Sequence, residues 1–197
     1  PGQQVGHHLA LDPAEATRRI ARLEPYDLHW IEEPVPQENL SGHAKVREMS
    51  PTPIQAGENW WFPRGFAEAI EAGASDFIMP DIMKCGGVTG WLQVAAQAQA
   101  ANIPMSSHLF AEASVQLLPV TPTGHWLEYV DWADAVLLAS LRIEKGFAMP
   151  SLRPGLRAPS RTRTCARSSP APSRPPSPPR SSPSGSAPRP CASCAWP

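Results

Sequence analysis

Long apolar runs, a basic amino-terminal segment and paired cysteines are all missing from the first 150 residues of this chain. Without an apolar run of about 20 residues we expect no membrane-spanning helix and no membrane partner. Residues 1–5 carry no basic segment followed by an apolar one, so no secretory signal is expected. Cys85 is the one cysteine before residue 150, which is typical of a reducing cytoplasm. We therefore predict a cytoplasmic protein whose residues 1–8, which lack an initiator Met, are an aberrant or truncated start.

Acidic side chains are absent after residue 150. All 18 Asp and Glu lie in residues 1–150 with nine of the 17 Lys and Arg, whereas the other eight basic residues, all Arg, lie beyond. The net charge of −1 therefore conceals −9 in one segment and +8 in the other. The near-neutral total does not favour nucleic-acid binding, and we expect no nucleic-acid partner. Two different kinds of sequence are joined.

Residues 158–197 form a Pro/Ser/Arg-rich tail with 11 of the 25 prolines, ten serines and Trp196 as its one large apolar side chain. This composition buries too little apolar surface to offset chain entropy, so a disordered tail is predicted. Four interpretations stay open: a linker or polyproline ligand around 174–179, an RNA-binding tail that lacks base-stacking aromatics, a redox or metal pair at Cys191 and Cys194, and out-of-frame translation of a GC-rich gene, which we favour.

Residues 9–157 alternate between predicted helices and strands. Asp12 and Pro13 are typical of a helix N-cap and its first helical residue. Helices are predicted at 13–24, 39–49, 64–72, 88–101 and 110–118, and strands at 30–34, 53–56, 77–79, 103–105 and 125–127. In helix 88–101 the spacing places six residues on one face: Val88, Trp91, Leu92, Ala95, Ala96 and Gln99. The alternation predicts an α/β fold of right-handed βαβ units around a parallel sheet.

One polar residue follows each predicted strand: Glu32, Glu58, Asp81, His108 and Glu128. They are 26, 23, 27 and 20 residues apart, about one βα unit each time. In a (β/α)₈ barrel these strand ends converge on one mouth, where active sites form. Taken singly, each has a simpler explanation as a loop residue, a helix cap or a core histidine. Five such residues in phase favour a common site.

These residue types predict a particular chemistry. Carboxylates at neighbouring strand ends suit a hard divalent cation, and Mg²⁺ is the usual choice for a few protein ligands plus water and substrate. A His paired with an Asp has its tautomer fixed and its basicity raised, as a general base requires. A base beside Mg²⁺ indicates removal of a proton next to a carboxylate, with the metal neutralising the enediolate that forms.

Residues 9–150 resemble the barrel domain of the mandelate racemase branch of the enolase superfamily. Lys84 and Asn59 lie in matching strings but are assigned no role. The matching strings cover about 140 residues and are 30–34 (WIEEP), 57–60 (GENW), 79–84 (MPDIMK), 86–91 (GGVTGW), 104–110 (PMSSHLF) and 121–128 (TPTGHWLE).

The resemblance implies roles for the same five residues. Glu32 and Glu58 would be Mg²⁺ ligands, and His108 would be the acid/base on one face of the substrate. Asp81 would orient His108. Glu128, in protonated form, would donate a proton or a hydrogen bond to the substrate carboxylate. The implied fold is an incomplete (β/α)₈ TIM-type barrel of about five or six βα units over residues 9–157.

Two departures from the family pattern stand out. The first metal ligand of the family, an Asp, would fall at Gly6, while His8 fits the Asn/His position two residues on. His7 and His8 are alternative ligands, although imidazole suits Mg²⁺ poorly. The Lys-x-Lys strand that supplies the opposite base, and the N-terminal capping domain, would both precede residue 1.

Three functions are hypotheses at this point. The first is a racemase whose parent protein removes the α-proton of a 2-hydroxy carboxylate, with this chain alone inactive. The second is an acid-sugar dehydratase of the same superfamily. The third is a non-catalytic fragment or pseudogene product, with or without an Arg/Pro interaction tail. Expected partners are a small-molecule carboxylate and further copies of the parent chain.

Overall fold

The computed structural model describes residues 11–137 and 139–151. The predicted start (1–8) and the predicted disordered tail (158–197) lie outside these residues. Within them the helices are α1 (Pro13–Ala21), α2 (Leu40–Met49), α3 (Phe62–Glu71), α4 (Gly87–Ala101) and α5 (Ala111–Leu117). The strands are β1 (Ile31–Glu32), β2 (Ile54–Ala56), β3 (Phe77–Ile78), β4 (Arg142–Glu144) and β5 (Phe147–Met149). None of the described helices is long and apolar enough to cross a membrane.

Helix α1 begins as predicted but ends early. The Asp12 carboxylate accepts a hydrogen bond of 2.9 Å from the Glu15 amide, and Pro13 is at the first turn. The prediction extended this helix to about residue 24, whereas it ends at Ala21. Pro25 has no amide hydrogen for the carbonyl of Ala21, so the α-helix cannot pass through this position.

The first three strands form a parallel sheet in the order β1-β2-β3. Helices α2 and α3 connect them, as the alternation of the sequence predicts. Glu32 pairs with Gln55, and Ala56 pairs with Ile78. The carboxyl ends of these strands therefore lie along one edge.

Two more strand positions continue this sheet as single parallel bridges, Ile78 to Met105 and Met105 to Gly124. The amide of Ser106 donates to the carbonyl of Ile78 at 2.8 Å, and that of His125 donates to Met105 at 2.9 Å. The predicted strands at 103–105 and 125–127 are thus much shorter than expected. The described residues still supply five parallel strand positions in chain order.

Ring contacts show that these five positions curl into an arc. The rings of Trp30, next to β1, and His125, at the fifth position, have centroids 6.3 Å apart, and Phe77 lies 5.0 Å from His125. In a flat sheet, four strand spacings would separate the first and fifth positions by roughly 19 Å. The sheet therefore curves as the wall of a barrel does.

The main apolar core lies between the sheet and α3 and α4, where Phe66, Trp91, Val94 and Met105 are fully buried. Trp91 also donates from its indole nitrogen to the Thr121 hydroxyl at 2.9 Å. A polar atom in the core is thereby paired, which avoids the cost of burying it unsatisfied.

The face of α4 that the sequence singles out is only partly buried. Trp91 and Ala95 are buried, but Val88 and Leu92 are 55% and 46% exposed, and Ala96 and Gln99 are not buried either. The buried residues are Gly90 and four that follow the i, i+3, i+4, i+7 spacing from position 91: Trp91, Val94, Ala95 and Ala98. The face singled out from the sequence is centred about one residue away from this buried face.

A β-hairpin, β4–β5, was not predicted. Glu144 pairs with Phe147 across the two-residue turn Lys145-Gly146, whose φ angles of 51° and 83° are both left-handed. Turns with positive φ at both central residues match the twist of a two-stranded hairpin, and glycine favours them. The dipeptide Lys145-Gly146 was the sequence feature from which this turn could have been predicted.

Asp76 joins three elements that support the sheet. Its Oδ1 accepts a 2.6 Å hydrogen bond from Arg47 of α2, and its Oδ2 accepts one of 2.8 Å from the amide of Ile54 at the start of β2. Arg47 also donates to the carbonyl of Gly73, at 3.3 Å. Asp76 therefore fixes β2 against α2 and the α3–β3 loop.

We expect Asp76→Ala to lower the free energy of unfolding by about 1–3 kcal/mol, because it removes the acceptor of the Ile54 amide and the closer of the two acceptors of Arg47. Glu68→Ala is the matched control, since Arg64 and Glu68 form an exposed pair at 2.7 Å. Such pairs contribute about 0.3–0.5 kcal/mol. Urea unfolding measures both, and equal losses would contradict the structural role given to Asp76.

Candidate active site

The five predicted site residues all lie at one edge of the sheet. Glu32 ends β1, and the others follow within four residues of the second to fifth strand positions: Glu58, Asp81, His108 and Glu128. Because the strands are parallel and the sheet curls, these ends converge. A parallel bridge between Asp81 and His108 extends the pairing into the loops themselves.

The imidazole of His108 bridges two carboxylates from different loops. Its Nδ1 lies 3.0 Å from Asp81 Oδ2, and its Nε2 lies 3.1 Å from Glu58 Oε2. The side chains of His108 and Asp81 are 13% and 4% exposed. The contact with Asp81 is the one expected from the sequence, whereas the contact with Glu58 was not expected.

Asp81 is held in place by its own turn. Its Oδ1 accepts hydrogen bonds from the amides of Met83 at 2.7 Å and Lys84 at 3.3 Å. Asp81 is therefore not the N-cap of α4, which is Gly86. With Oδ1 bound to the turn, Oδ2 is left to face the imidazole of His108.

The hydrogen bonds of this bridge stabilise the charged forms of both His108 and Glu58. Burial by itself would lower the pKa of His108, but hydrogen bonds to Glu58 and Asp81 raise that pKa to about 9. The hydrogen bond with His108 in turn lowers the pKa of Glu58. In this state His108 is an imidazolium that donates on both sides.

The pKa of Glu32 is shifted upwards, in the opposite direction to that of Glu58. Burial raises its pKa, and the negative charges of Glu58 and Glu128 raise it further. Carboxylates brought together in this way repel one another unless a proton or a cation lies between them. Glu32 and Glu58 thus offer hard oxygen donors whose mutual repulsion a divalent cation would relieve, which fits Mg²⁺.

The described residues supply only part of such a cation site. Among residues 11–137 and 139–151, no three His, Cys, Asp or Glu side chains are grouped as metal ligands. The donors present are the pair Glu32 and Glu58. Gly6, with His7 and His8, lies outside the described residues.

Glu128 is tied to the loop that carries His108. Its Oε2 accepts a hydrogen bond of 2.6 Å from the amide of Leu109, and its own amide donates to the Ser107 hydroxyl at 3.1 Å. Leu109 and Phe110 have φ angles of 46° and 43°, in the left-handed region that residues other than glycine rarely adopt. Strain of this kind is concentrated at functional sites.

Sequence reasoning assigned no role to three residues beside the site, although two of them, Lys84 and Asn59, were noted in the matching strings. The Asn59 amide nitrogen donates to Glu33 Oε2 at 2.8 Å and to Glu58 Oε1 at 2.9 Å. Lys84 Nζ donates to Asn59 Oδ1 at 2.7 Å. All three lie in the strings that carry the family resemblance, and this was the only signal for them.

Comparisons with known proteins agree with the geometry. Residues 4–157 match the family model described as Enolase C-terminal domain-like. A crystal structure of an enolase from Bradyrhizobium, complexed with magnesium and mandelic acid, is 69% identical with a TM-score of 0.74, and the match covers 77% of this chain and 42% of that one.

Two curated enzymes are more distant relatives. L-talarate/galactarate dehydratase of Salmonella typhimurium is 30% identical over 145 residues, which are 74% of this chain and 36% of that enzyme. The 3,6-anhydro-alpha-L-galactonate cycloisomerase of Streptomyces coelicolor is 33% identical over 141 residues, 71% of this chain and 39% of that enzyme. This chain thus spans about two fifths of their length. With its mixed α/β TIM-barrel fragment and a family match over most of its residues, the chain belongs to the Enolase C-terminal domain-like family, within the enolase superfamily.

Proposed function

We propose that this domain belongs to a Mg²⁺-dependent enzyme that removes the proton next to the carboxylate of a small 2-hydroxy acid. The observation that carries the proposal is His108, held between Asp81 and Glu58 at the mouth of the barrel arc. The magnesium and mandelic acid bound to the Bradyrhizobium relative support both the cation and the substrate class.

Glu32 and Glu58 would hold the cation, with a third donor from outside the described residues. When bound, Mg²⁺ supplies positive charge that stabilises a substrate carboxylate as it becomes an enediolate. Glu128, fixed by the amide of Leu109, would be protonated when substrate is bound and would donate a hydrogen bond to the substrate carboxylate. These residues bind and orient the substrate, while the proton moves at His108.

Nε2 of His108 is the nitrogen that would take the α-proton. Asp81 occupies Nδ1 and fixes the tautomer, so that proton exchange takes place at Nε2, on the side of Glu58. Glu58 contributes to the raised pKa of His108. Neutralising Glu58 would lower that pKa towards the working pH, where a general base is most effective.

The fate of the enediolate distinguishes two reactions. Returning a proton to the opposite face gives a racemase, whereas expelling a β-hydroxyl gives an acid-sugar dehydratase. The L-talarate/galactarate dehydratase relative favours the second as strongly as the mandelic acid complex favours the first. Assays of 2-hydroxy acids with and without a β-hydroxyl separate them.

We expect the 197-residue chain to show no turnover alone and to gain it when the amino-terminal part of the Bradyrhizobium relative is joined to it and Gly6 is replaced by Asp. In that fusion, His108→Asn should slow exchange of the α-proton of one mandelate enantiomer in D₂O by about 10²–10⁴. Asp81→Asn should reproduce much of this loss, because the imidazole then adopts the wrong tautomer. His125→Asn is the control, since His125 lies in the ring cluster with Trp30.

Proton NMR of the α-position follows both enantiomers. Equal loss of exchange for the two enantiomers, or loss in the His125 control, would show that His108 has a structural role only.

The metal-free chain should lose stability as the pH rises. The pKa of His108 is about 9 in the folded protein and 6.5 ordinarily, so its stabilisation is complete below pH 6.5 and disappears as the pH passes 9. We expect a loss on the order of 1–2 kcal/mol, because solvent reaches the site. Urea unfolding with EDTA measures it. His108→Gln should remove this slope and His125→Gln should keep it; a slope unchanged in His108→Gln would contradict the assignment.

Gly6→Asp should tighten Mg²⁺ binding, because it restores an anionic donor where the family pattern has one. Isothermal titration of the 197-residue chain measures the affinity. Gly2→Asp adds the same charge at another amino-terminal position and should leave the affinity nearly unchanged. If both variants bind Mg²⁺ equally, position 6 is not a ligand position, and His7 and His8 become the residues to test.

A further inference from the structure

Asn59 is placed between one ammonium group and two carboxylates. Its Oδ1 accepts from Lys84 Nζ at 2.7 Å, while its Nδ2 donates to Glu33 at 2.8 Å and to Glu58 at 2.9 Å. Both polar atoms of this amide group are therefore used.

The chemistry of these partners leaves the amide one orientation. An ammonium group only donates hydrogen bonds, and an ionised carboxylate only accepts them. Oδ1 of Asn59 must therefore face Lys84, and Nδ2 must face Glu33 and Glu58. If the amide were rotated by 180°, all three contacts would become repulsive.

The consequence for Glu58 is that both of its oxygens are held. Asn59 Nδ2 donates to Oε1, and Nε2 of His108 lies 3.1 Å from Oε2. These two contacts fix the plane of the carboxylate, and each oxygen keeps a further lone pair for another partner.

Lys84 is itself anchored to the loops on either side. Its amide donates to Asp81 Oδ1 at 3.3 Å, and its carbonyl accepts from the amide of Phe62 at 3.0 Å. Phe62 begins α3, three residues after Asn59. The backbone of Lys84 thus joins the loop of Asp81 to the loop of Glu58, and its side chain joins them again through Asn59.

We propose that Lys84 and Asn59 are positioning residues for Glu58, with Lys84 acting through the amide of Asn59. Lys84 fixes the orientation of the amide, and the amide fixes the carboxylate of Glu58 in its coordinating geometry. The effect on cation binding rests on the proposed function, in which Glu58 is a metal ligand.

A positioning role and a purely electrostatic role of Lys84 predict changes of opposite sign in cation affinity. Removing a cationic side chain near a cation site strengthens cation binding by Coulomb's law. Removing a positioning residue weakens it, and groups behind metal ligands typically contribute about 10–100-fold to affinity. The sign of the effect of Lys84→Met therefore separates the two.

The test uses Mn²⁺ as the probe, with its affinity for the 197-residue chain measured by electron paramagnetic resonance. We expect Lys84→Met and Asn59→Leu each to weaken binding by about tenfold or more. Lys84→Arg, which still donates to Asn59, should retain most of the affinity. Lys45→Met, on the exposed face of α2, is the control and should change nothing.

The double variant tests whether Lys84 acts through Asn59. Once Asn59 is Leu, Lys84→Met should weaken binding no further and should strengthen it slightly, because only the charge effect remains. Tighter binding of Mn²⁺ by Lys84→Met alone, or additive losses in the double variant, would overturn the proposal.

A metal-free measurement keeps the proposal separate from the proposed function. The side-chain NH₂ of Asn59 should exchange slowly with solvent in the wild type and in Lys84→Arg, and faster in Lys84→Met, by nitrogen-15 NMR. If the wild type binds no Mn²⁺ and this pattern holds, the positioning role stands and the metal assignment fails. If Mn²⁺ binds and the Asn59 signal is the same in all three proteins, the positioning role is overturned.

Discussion

The site depends on the double contact of His108 with Asp81 and Glu58. These three side chains come from three different βα loops, and one imidazole ring joins them at 3.0 and 3.1 Å. The contact requires both a common edge, which parallel pairing provides, and a small radius, which the curl of the sheet provides. In a flat sheet the second and fourth strand positions would be roughly 10 Å apart, so the two side chains would have to extend towards each other to meet.

The same geometry creates an electrostatic problem. Carboxylates from Glu32, Glu58 and Glu128 share a partly buried space, and the pKa of Glu32 is raised by burial and by the other two charges. His108 and Lys84 offset part of this negative charge on the side of Glu58, whose pKa is lowered chiefly by its hydrogen bond with His108. Negative charge is left around Glu32, where a divalent cation would be stabilised most.

Features that depend on residues close together in the sequence could be predicted, whereas most contacts between residues far apart in the sequence could not. The alternation of elements and the phase of the five polar residues follow from local periodicity, so the parallel sheet and the shared edge were predicted. The face that α4 buries could not be read from the sequence, because Val88 and Leu92 have apolar side chains but are largely exposed. Apolar composition alone does not show which neighbours a helix will meet.

Contacts between loops were harder to predict. The hydrogen bonds of Asn59 to Glu33 and of Lys84 to Asn59 cross 26 and 25 residues of sequence, and no spacing rule predicts them. The contact of Glu58 with His108 was missed for the same reason, since each residue had been assigned a separate role. The strand positions at Met105 and Gly124 shrank to bridges because Pro104 and Pro122 interrupt donation near them.

In the reaction proposed above, the described residues account for the removal of the proton more fully than for the fate of the enediolate. Removing an α-proton requires a base of fixed tautomer and charge stabilisation at the substrate carboxylate, and His108, Asp81 and the neighbouring glutamates provide the groups for both. Racemisation and dehydration diverge only afterwards, in the direction from which an acid reaches the enediolate or its β-hydroxyl. In the proposed reaction, the five residues at the strand ends act before that divergence. The same arrangement of strand ends is therefore compatible with either product.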